Sequence, residues 1–417
     1  MPDIEVHIDR PGGVQRVGTL HRQARRGGEA VAFEYHPDWL TDPDRFSLEP
    51  ALTLNRGAFA PAAGLAMFGS IGDSAPDTWG RRLMQRAERR RAEREGRAVR
   101  TLAEADYLIG VADVSRLGAL RFRYAGGAVF ETPTAQGVPG LVELGSLMAV
   151  TDRILRDEET DADLQMIFAP GSSLGGARPK ASVIDQHGQL SIAKFPKPDD
   201  DYSVERWESV ALTLAGMAGV RVAAHELIEV AGQAILLSRR FDREGEGRIP
   251  FLSALSMMGL KDGERGSYPE LVDVLAQTGA QAQRDAAELY RRMVLNVLIS
   301  NVDDHLRNHG FLWLGQGGWT LSPAYDLNPT PVDVKARILT TTIDLDDGTC
   351  DLALVLAVAG LFSLSDAEAR DIVREVAQVT RGWRDVAAAA GARPAESRRM
   401  QSSSVEHTSA LQSRRNL

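Results

Sequence analysis

The chain contains 417 residues, too many for one hydrophobic core of ordinary size, so two or three packed units are expected. A hydrophobic fraction of 43% and a charged fraction of 25% exclude a disordered or fibrous chain, and the net charge of −9 disfavours sequence-independent binding of nucleic acids. The single cysteine excludes an internal disulfide, and the absence of a signal peptide or a long apolar run predicts a soluble, cytoplasmic protein.

The first 35 residues alternate short apolar runs with Gly-rich or charged turns, which predicts a small antiparallel β-meander. A strongly helix-forming run follows in FGSIGDSAPDTWGRRLMQRAERRRAER, with Asp73, Ser74 and Asp77 as candidate N-caps. Arginines are dense between Arg81 and Arg100, and glutamates are interleaved with them. We interpret this run as a solvated helix face with i,i+4 ion pairs; the alternative is a binding surface for an acidic partner.

Between Asp161 and Phe195 the pattern predicts three strands, LQMIFA, ASVID and LSIAKF, with the glycine-rich turn GSSLGGARPK after the first. Spaced apolar residues then predict a helix that ends near Gly219, and VRVAAHELIEVAGQAILLSRRFDR predicts further strands. A second helical pattern runs from about 276 to 300. Residues 394–417 contain few large apolar side chains, so they are predicted to form a flexible tail outside the fold.

The segment from Asn301 to Pro329 contains the residues that best indicate a chemistry. Asp303 precedes Asn308 by five positions, and a predicted hairpin (FLWL, GQGG, WTL) leads to Asp326. Phosphoryl transfer needs a carboxylate that takes or orients the proton of the attacking hydroxyl, and an amide and a second carboxylate that hold Mg²⁺. Protein kinases separate the catalytic Asp and the metal-binding Asn by the same five positions. Asp303 is therefore the predicted catalytic residue, with Asn308 and Asp326 as metal ligands.

Upstream residues fit the nucleotide end of such a site. Lys194, in the strand LSIAKF, is the candidate phosphate-orienting lysine, and Glu208 on the following helix would hold it by an ion pair. Before them in the chain, Gly175 and Gly176 would let the backbone approach a polyphosphate closely, and Arg178 and Lys180 would add positive charge. The glycine-rich loop, the lysine, the glutamate and the catalytic segment thus follow one another in the order that a bilobal kinase needs.

Each of these residues also has a structural interpretation. Asp303 could cap a loop and Asp326 could be a turn residue. A structural hydrogen bond is the favoured role of His305; the alternatives are that it helps to neutralise phosphate or does neither. Lys194 could lie on a strand edge and Glu208 on an exposed helix face. Histidines are few and the single cysteine rules out a C-x-x-C pair, so a zinc site is not expected.

The chain contains, in this order, the segments FGSIGDSAPDTWGRRL, SSLGGARPKA, IAKFP, WESVALTLAGMAGV, LLSRRFDRE, NVDDHLRNHGF and LSPAYDLNP. Together they resemble the HipA family of bacterial serine/threonine kinases, the toxin components of type II toxin–antitoxin modules. The resemblance covers most of the chain and implies a bilobal, protein-kinase-like α+β fold with an additional N-terminal β-rich subdomain. The implied boundaries are 1–150 for that subdomain, 151–238 for the kinase N-lobe, 239–393 for the helical C-lobe and 394–417 for the tail.

The same resemblance implies ATP and Mg²⁺ as cofactors. Asp303 would be the catalytic base, and Asn308 and Asp326 would be the Mg²⁺ ligands. Ser173, with Ser172 beside it, would be autophosphorylated, and the added negative charge would disfavour closure of the phosphate loop on ATP. The implied residues around the nucleotide are Gly175, Gly176, Ala177, Arg178, Pro179 and Lys180 of the phosphate loop, Lys194, Glu208, the hinge residues Arg239, Arg240 and Phe241, and His305 and Tyr325.

A protein of this kind would arrest growth by phosphorylating a translation component such as an aminoacyl-tRNA synthetase, and a DNA-binding antitoxin of the HipB type would restrain it. Nucleic acid would be bound only through the antitoxin, and no membrane contact is expected. Tyr325, Asp326 and Leu327 stand where eukaryotic protein kinases have D-F-G, and A-P-E is absent, so an activation loop of that type cannot be assumed. Two alternatives remain: a small-molecule phosphotransferase of the aminoglycoside or choline kinase type, and a non-catalytic corepressor module.

Overall fold

The computed structural model describes residues 1–26, 28–131, 138–168 and 176–401. The chain divides into two compact units. Unit 1 contains Met1–Pro198, Val230–Gln233 and Leu237–Asp262, and unit 2 contains Asp199–Glu229, Ala234–Leu236 and the chain from Gly263 onward. Among the helices in these ranges, none has the length and apolar composition required to cross a membrane.

Helices and strands are mixed along the chain, as the α+β prediction requires. The strands of the described residues are β1 (Ile4–Arg10), β2 (Gly13–Arg25), β3 (Gly28–Tyr35), β4 (Ala58–Phe59), β5 (Leu120–Tyr124), β6 (Lys180–Ile184), β7 (Leu190–Lys194), β8 (His225–Val230), β9 (Gln233–Arg239), β10 (Arg243–Glu244), β11 (Gly247–Arg248), β12 (Phe251–Ser253), β13 (Gly310–Trp313) and β14 (Trp319–Leu321). Besides the helical residues 394–401, the α-helices of the described residues are α1 (Pro37–Thr41), α2 (Gly69–Gly72), α3 (Thr78–Arg94), α4 (Glu104–Ile109), α5 (Leu144–Leu155), α6 (Asp161–Phe168), α7 (Val204–Met217), α8 (Ala254–Met257), α9 (Tyr268–Thr278), α10 (Ala282–Ile299), α11 (Leu352–Ala357), α12 (Asp366–Thr380) and α13 (Trp383–Ala389).

The predicted N-terminal meander is confirmed. β1 pairs with β2 and β2 with β3, all antiparallel, and β5 returns to pair with β1. With β4 at the opposite edge, the order of this sheet is β4-β3-β2-β1-β5. Ile4, Val6 and Ile8 alternate along β1 and are fully buried, which is the period of two that places one strand face against a core.

One predicted strand is wrong, because LQMIF lies in α6 and is helical. Thr160 and Asp163 cap this helix reciprocally: Asp163 Oδ2 accepts from the Thr160 N–H at 2.8 Å, and Thr160 Oγ1 accepts from the Asp163 N–H at 3.2 Å. Leu164 and Ile167, three positions apart, are both buried. A short apolar run fits a helix face as well as a strand, and here the cap and the packing decide for the helix.

The predicted arginine-rich helix is α3, and it begins at the predicted N-cap Asp77, whose Oδ1 accepts from the Gly80 N–H at 2.9 Å. The ion pairs of its arginines differ from the predicted i,i+4 pairs. Arg86, Arg90 and Arg94 are themselves four positions apart, so along the helix they would repel one another. Their acidic partners come from the connection between α5 and α6 and its end, namely Asp157, Glu159 and Asp161.

The predicted boundary of the C-terminal tail, residue 394, is wrong. Residues 394–401 are helical. Within them, Met400 is 4% exposed and packs in a cluster with Trp207 and Trp383, whose ring centroids lie 5.8 Å apart. Glu396 is also buried and accepts from Arg393 Nε at 2.9 Å. A segment of polar composition is thus held to the core by one apolar side chain that packs with two tryptophans. Residues 402–417 of the predicted tail lie outside the described part of the chain.

The helix predicted from about 276 to 300 corresponds to α10, which begins later. The backbone of Gly279 is extended (φ −80°, ψ 133°) and ends α9 before α10 starts. At its other end, α10 stops where Ser300 adopts left-handed backbone with φ 56°. This end leads directly into the segment that carries the predicted catalytic residues.

Candidate functional site

The segment Asn301–His309 brings Asp303 and Asn308 together. A short 3-10 turn, Leu306–Asn308, returns the chain, and Asn308 Nδ2 donates to the carbonyl of Asp303 at 3.2 Å. Asp303 exposes 54% of its side chain, whereas Asn308 is only 6% exposed. The carboxylate that would receive a proton is therefore open to solvent, and the amide beside it is buried.

The amide oxygen of Asn308 is one of three buried side-chain atoms in this segment that have no hydrogen-bond partner among the described residues. Asn308 Oδ1 is buried and accepts no hydrogen bond from any residue that the structure describes. Leaving a buried acceptor unpaired costs about 1–3 kcal/mol, so such an atom calls for a partner. The Nδ1 atom of the half-buried His305 is buried and unpartnered by the same criterion, so the structural hydrogen bond predicted for His305 is not found at that atom.

The β13–β14 hairpin returns the chain to this segment. Both strands pair antiparallel, which confirms the predicted hairpin. Past β14, the Tyr325 hydroxyl donates to the carbonyl of Arg307 at 2.7 Å. Asn308 and Asp326 each directly follow one of these two residues, so they lie on neighbouring stretches of backbone. The sequence spacing alone did not require this proximity.

Asp326 has a left-handed backbone with φ 58°, which is uncommon for a residue other than glycine. Such backbone costs of order 1 kcal/mol and persists only where surrounding contacts enforce it. Asn328 supplies these contacts, because its Nδ2 donates to Asp326 Oδ1 at 3.1 Å and to the Asp326 carbonyl at 3.2 Å. The Asn328 N–H in turn donates to Asn301 Oδ1 at 3.1 Å. The conformation of Asp326 is thus tied to the start of the Asp303 segment.

Asp304, next to the exposed Asp303, is buried and 1% exposed. Its carboxylate accepts from the Tyr268 hydroxyl at 2.5 Å and lies 3.1 Å from His309 Nε2. Burial raises the pKa of Asp304, but the His309 ring and the Tyr268 hydroxyl outweigh burial and hold that pKa below its usual value. Burial beside this carboxylate raises the pKa of Tyr268 well above its usual value, so Tyr268 remains a donor.

A chain of hydrogen bonds connects Asp304 to Asp326 through the interior of unit 2. Asn296 Nδ2 donates to the Tyr268 hydroxyl at 2.9 Å, and Asn301 Nδ2 donates to Asn296 Oδ1 at 3.0 Å. Sequence analysis missed these residues. An available signal was Asn296, an asparagine inside the buried apolar stretch of α10. The complete connection runs through Asp304, Tyr268, Asn296, Asn301, Asn328 and Asp326.

Lys335 was also missed by sequence analysis. Its Nζ donates to Asp303 Oδ1 at 2.9 Å, and both side chains are 54% exposed. The two residues are 32 positions apart. No local pattern joins them, so only the folded chain could reveal this contact.

In unit 1, the β6–β7 hairpin places Lys180 opposite Lys194. Lys194 is half-buried, whereas Lys180 is 2% exposed and its Nζ donates to Asp77 Oδ2 at 2.7 Å. Gly176 has φ 100°, a conformation that favours glycine, and a Cβ there would lie 3.5 Å from Lys180 Nζ. The ammonium of Lys180 thus ties the glycine-rich segment to the start of α3.

The remaining predicted phosphate-loop residues are placed only in part. Ala177 is exposed, Arg178 is half-buried and Pro179 is buried. Ser172, Ser173 and Gly175 lie outside the described residues, so the predicted autophosphorylation site and the first glycine stay predictions.

The predicted hinge residues have structural partners within unit 1. Arg239 pairs with Asp185 at 3.2 Å. Arg240 is buried, pairs with Asp242 at 2.5 Å, and also donates to the carbonyls of Ser115 and Arg116 at 2.8 and 3.0 Å. Burial alone would raise the pKa of Asp242, but Arg240 and Arg243 lower it to about 2. The Arg240 guanidinium is occupied by these contacts; Phe241, half-buried, stacks at 6.1 Å from Phe251.

Glu208 lies on α7 in unit 2 and is 3% exposed. The alternative that it sits on an exposed helix face is therefore wrong. A buried carboxylate needs a charged or hydrogen-bonded partner. The predicted ion pair with Lys194 stays a prediction.

Comparison with known proteins agrees with this architecture. Residues 172–383 match the HipA-like C-terminal domain, and residues 8–105 match the HipA N-terminal domain. The chain belongs to the HipA family. Two similar proteins carry provisional kinase names: one from Sinorhizobium fredii, 32% identical over 150 residues, and one from Haemophilus influenzae, 23% identical over 194 residues. The alignments cover 32% and 40% of this chain, and 36% and 57% of those proteins.

A solved HipA structure extends the similarity over nearly the whole chain. It is the HipA of Shewanella oneidensis MR-1, in a complex of HipA, HipB and operator DNA. The TM-score is 0.63 at 19% identity, covering 93% of this chain and 90% of that chain. At this identity the likeness concerns the fold. The predicted HipA-type mixed α/β fold is therefore confirmed.

The unit 2 residues of this HipA family chain fit a magnesium ion. Asn308 Oδ1 is buried and has no donor among the described residues, and Asp326 lies on the neighbouring stretch of backbone. Mg²⁺ takes oxygen ligands and often combines one or two protein groups with substrate phosphates. An amide oxygen and one carboxylate match that donor set.

Proposed function

We propose that this chain is an ATP- and Mg²⁺-dependent protein serine/threonine kinase of the HipA type. The proposal rests chiefly on one arrangement in unit 2. An exposed carboxylate, Asp303, lies beside Asn308, whose buried oxygen has no donor in the described part of the chain. Asp326 is held in strained backbone on the adjoining loop. Stored strain and unpaired buried atoms concentrate at functional sites.

The proposed reaction follows from these positions. The hydroxyl of the acceptor attacks the γ-phosphorus of ATP, the bond from that phosphorus to the bridging oxygen breaks, and ADP leaves. Asp303 accepts the proton that the hydroxyl loses. Asn308 and Asp326 would hold Mg²⁺, which when bound neutralises charge on the phosphate oxygens. Within unit 2, Asn301 and Asn328 keep Asp326 in place.

The biological role is part of the same proposal. The chain would act as a growth-arresting toxin that phosphorylates a translation component, such as an aminoacyl-tRNA synthetase, and an antitoxin of the HipB type would restrain it. Family membership supports this role, and the Shewanella HipA assembles with HipB and operator DNA. Autophosphorylation at Ser173 would add a charge of about −1.5 to −2 beside the Gly176–Lys180 segment and oppose the binding of ATP.

The decisive experiment incubates the full-length protein with γ-labelled ATP, Mg²⁺ and a cell lysate. Asp303→Asn removes the proposed base while keeping shape, and Asp333→Asn is the matched control. Asp333 is a similarly exposed aspartate of unit 2 that pairs with Arg399 instead. Label should enter a discrete protein with the wild type and with Asp333→Asn, and it should be lost with Asp303→Asn. Equal labelling by all three proteins would refute the role of Asp303.

The location of phosphate on the chain itself is a separate test. Mass spectrometry after incubation with ATP and Mg²⁺ should find phosphate on Ser173. Ser173→Ala should abolish it, whereas Ser172→Ala should not. Phosphate on neither serine would contradict self-inactivation and leave the proposed kinase activity standing.

A further inference from the structure

Lys335 makes a direct contact with the proposed catalytic base. Its Nζ lies 2.9 Å from Asp303 Oδ1. An ammonium has three N–H donors, of which this contact uses one. The Lys335 side chain is half exposed, so its remaining donors are accessible to solvent.

The backbone around Lys335 is fixed from both sides. On the N-terminal side, the N–H groups of Val334 and Lys335 both donate to the carbonyl of Pro331, at 2.9 and 3.3 Å. Further along, the Thr340 N–H donates to the carbonyl of Val302 at 3.2 Å, and the Thr341 N–H donates to that of Asp304 at 2.9 Å. The hydroxyl groups of both threonines donate to the same two carbonyls. The segment that carries Lys335 is therefore bonded to the residues on either side of Asp303.

This ion pair contributes little to folding. Exposed ion pairs are worth about 0–1 kcal/mol, because water screens the charges and two long side chains lose freedom. Stability therefore does not account for the place of this lysine beside Asp303.

The use of lysine at this position is notable in this chain. Only five of its 48 basic residues are lysines, and Lys335 is the only lysine from Gly263 to the C-terminus. Arginine prefers flat, two-pronged contacts with carboxylates, whereas lysine is a compact charge that can turn its three donors toward different oxygens. A contact made only to hold Asp303 would be served equally well by arginine.

We propose that Lys335 is a further catalytic residue, which binds Asp303 and an oxygen of the transferring phosphoryl group at the same time. This inference rests on the proposed phosphotransfer. The acceptor hydroxyl must hydrogen-bond to the Asp303 carboxylate, so Lys335 and the attacking oxygen share that carboxylate as a neighbour. When the new O–P bond forms and ADP leaves, the hydroxyl proton passes to Asp303. Lys335 stays protonated throughout and stabilises the negative charge on the phosphoryl oxygens.

The test compares steady-state transfer of γ-labelled phosphate by the full-length wild type, Lys335→Met and Lys335→Arg. The acceptor is the lysate protein that the wild type labels, or the chain itself if that is the labelled species. Arg374→Met is the matched control, since it removes the cation of another exposed ion pair in unit 2, with Asp371 on α12. Asp303→Asn sets the level of inactive protein, and thermal unfolding is recorded for every variant.

Lys335→Met should lower kcat about 10- to 100-fold, less than a fully buried donor would, because Lys335 is half exposed. The KM for ATP should change less than about threefold, since the contact forms mainly in the transition state. Lys335→Arg should recover part of the loss, and Arg374→Met should equal the wild type. Unchanged kcat in Lys335→Met, with Asp303→Asn inactive, overturns the role of Lys335 and leaves the kinase proposal intact. A wild type no more active than Asp303→Asn overturns both.

Discussion

Replacing Tyr268 by phenylalanine removes one hydroxyl from the interior of unit 2 and leaves the ring in place. The lost hydroxyl donates to the buried Asp304 carboxylate and accepts from Asn296 Nδ2. A hydrogen bond to a charged group is worth about 1.5–3 kcal/mol, and the donor left unpaired on Asn296 adds to the cost. We expect the free energy of unfolding of unit 2 to fall by about 2–4 kcal/mol.

Tyr290→Phe provides the matched control. The Tyr290 hydroxyl is equally buried in unit 2, but it donates to a neutral acceptor, the Val355 carbonyl, at 3.1 Å. Removing it should cost about 0.5–1.5 kcal/mol. Hydrogen exchange of the amides in α9 and α10 reports the stability of this unit in the full-length protein.

The pH dependence gives a second readout. Because the folded pKa of Asp304 is depressed, its ionised form stabilises the fold above the usual value of 3.8, and that stabilisation is lost as the pH falls through the folded pKa. The stability gap between Tyr268→Phe and the wild type should therefore shrink below about pH 4. If Tyr268→Phe costs no more than Tyr290→Phe at neutral pH, the charge-assisted character of the Tyr268–Asp304 bond is refuted.

Three further changes test other parts of the molecule. Asn328→Ala should raise the Mg²⁺ concentration needed for half-maximal phosphotransfer about 10- to 100-fold, as measured by a Mg²⁺ titration at fixed ATP, because Asp326 loses the contact that orients it. Lys180→Met should lower the free energy of unfolding by about 3–5 kcal/mol in denaturant titrations, because it leaves the Asp77 carboxylate buried without its cation; Asp77→Asn in the same chain should recover part of the loss. Met400→Ala should cost about 2–5 kcal/mol by the same measurement, whereas Met217→Ala, 60% exposed, should change it little.

Sequence reasoning reached the elements whose signals are local. The N-terminal meander, the N-cap Asp77 and the β13–β14 hairpin each depend on a few consecutive residues, and all three are confirmed. The proposed catalytic trio was also accessible, because a five-residue turn and a tight hairpin place Asp303, Asn308 and Asp326 within one short segment. The local signal of LQMIF was ambiguous, because a short apolar run fits a strand or a helix. The prediction of a strand was wrong there, since packing in the folded chain favours the helix.

The prediction of a flexible tail from residue 394 onward, which was based on composition, was wrong for a related reason. Residues 394–401 are polar on average, yet a single methionine reaches the cluster around Trp207 and Trp383. Whether a segment joins a core depends on what lies opposite its few apolar side chains. Average composition does not contain that information.

The sequence by itself determined the family, the mixed α/β class and the residues proposed for phosphoryl transfer. Only the tertiary structure decided the environment of each residue: the exposure of Asp303, the unpaired oxygen of Asn308, the strain at Asp326 and the contact from Lys335. Residue type and spacing can be read directly from the sequence. Burial and several of the decisive hydrogen bonds, by contrast, join distant segments, such as Lys335 with Asp303 and Tyr268 with Asp304, and the chemistry of a side chain depends on both.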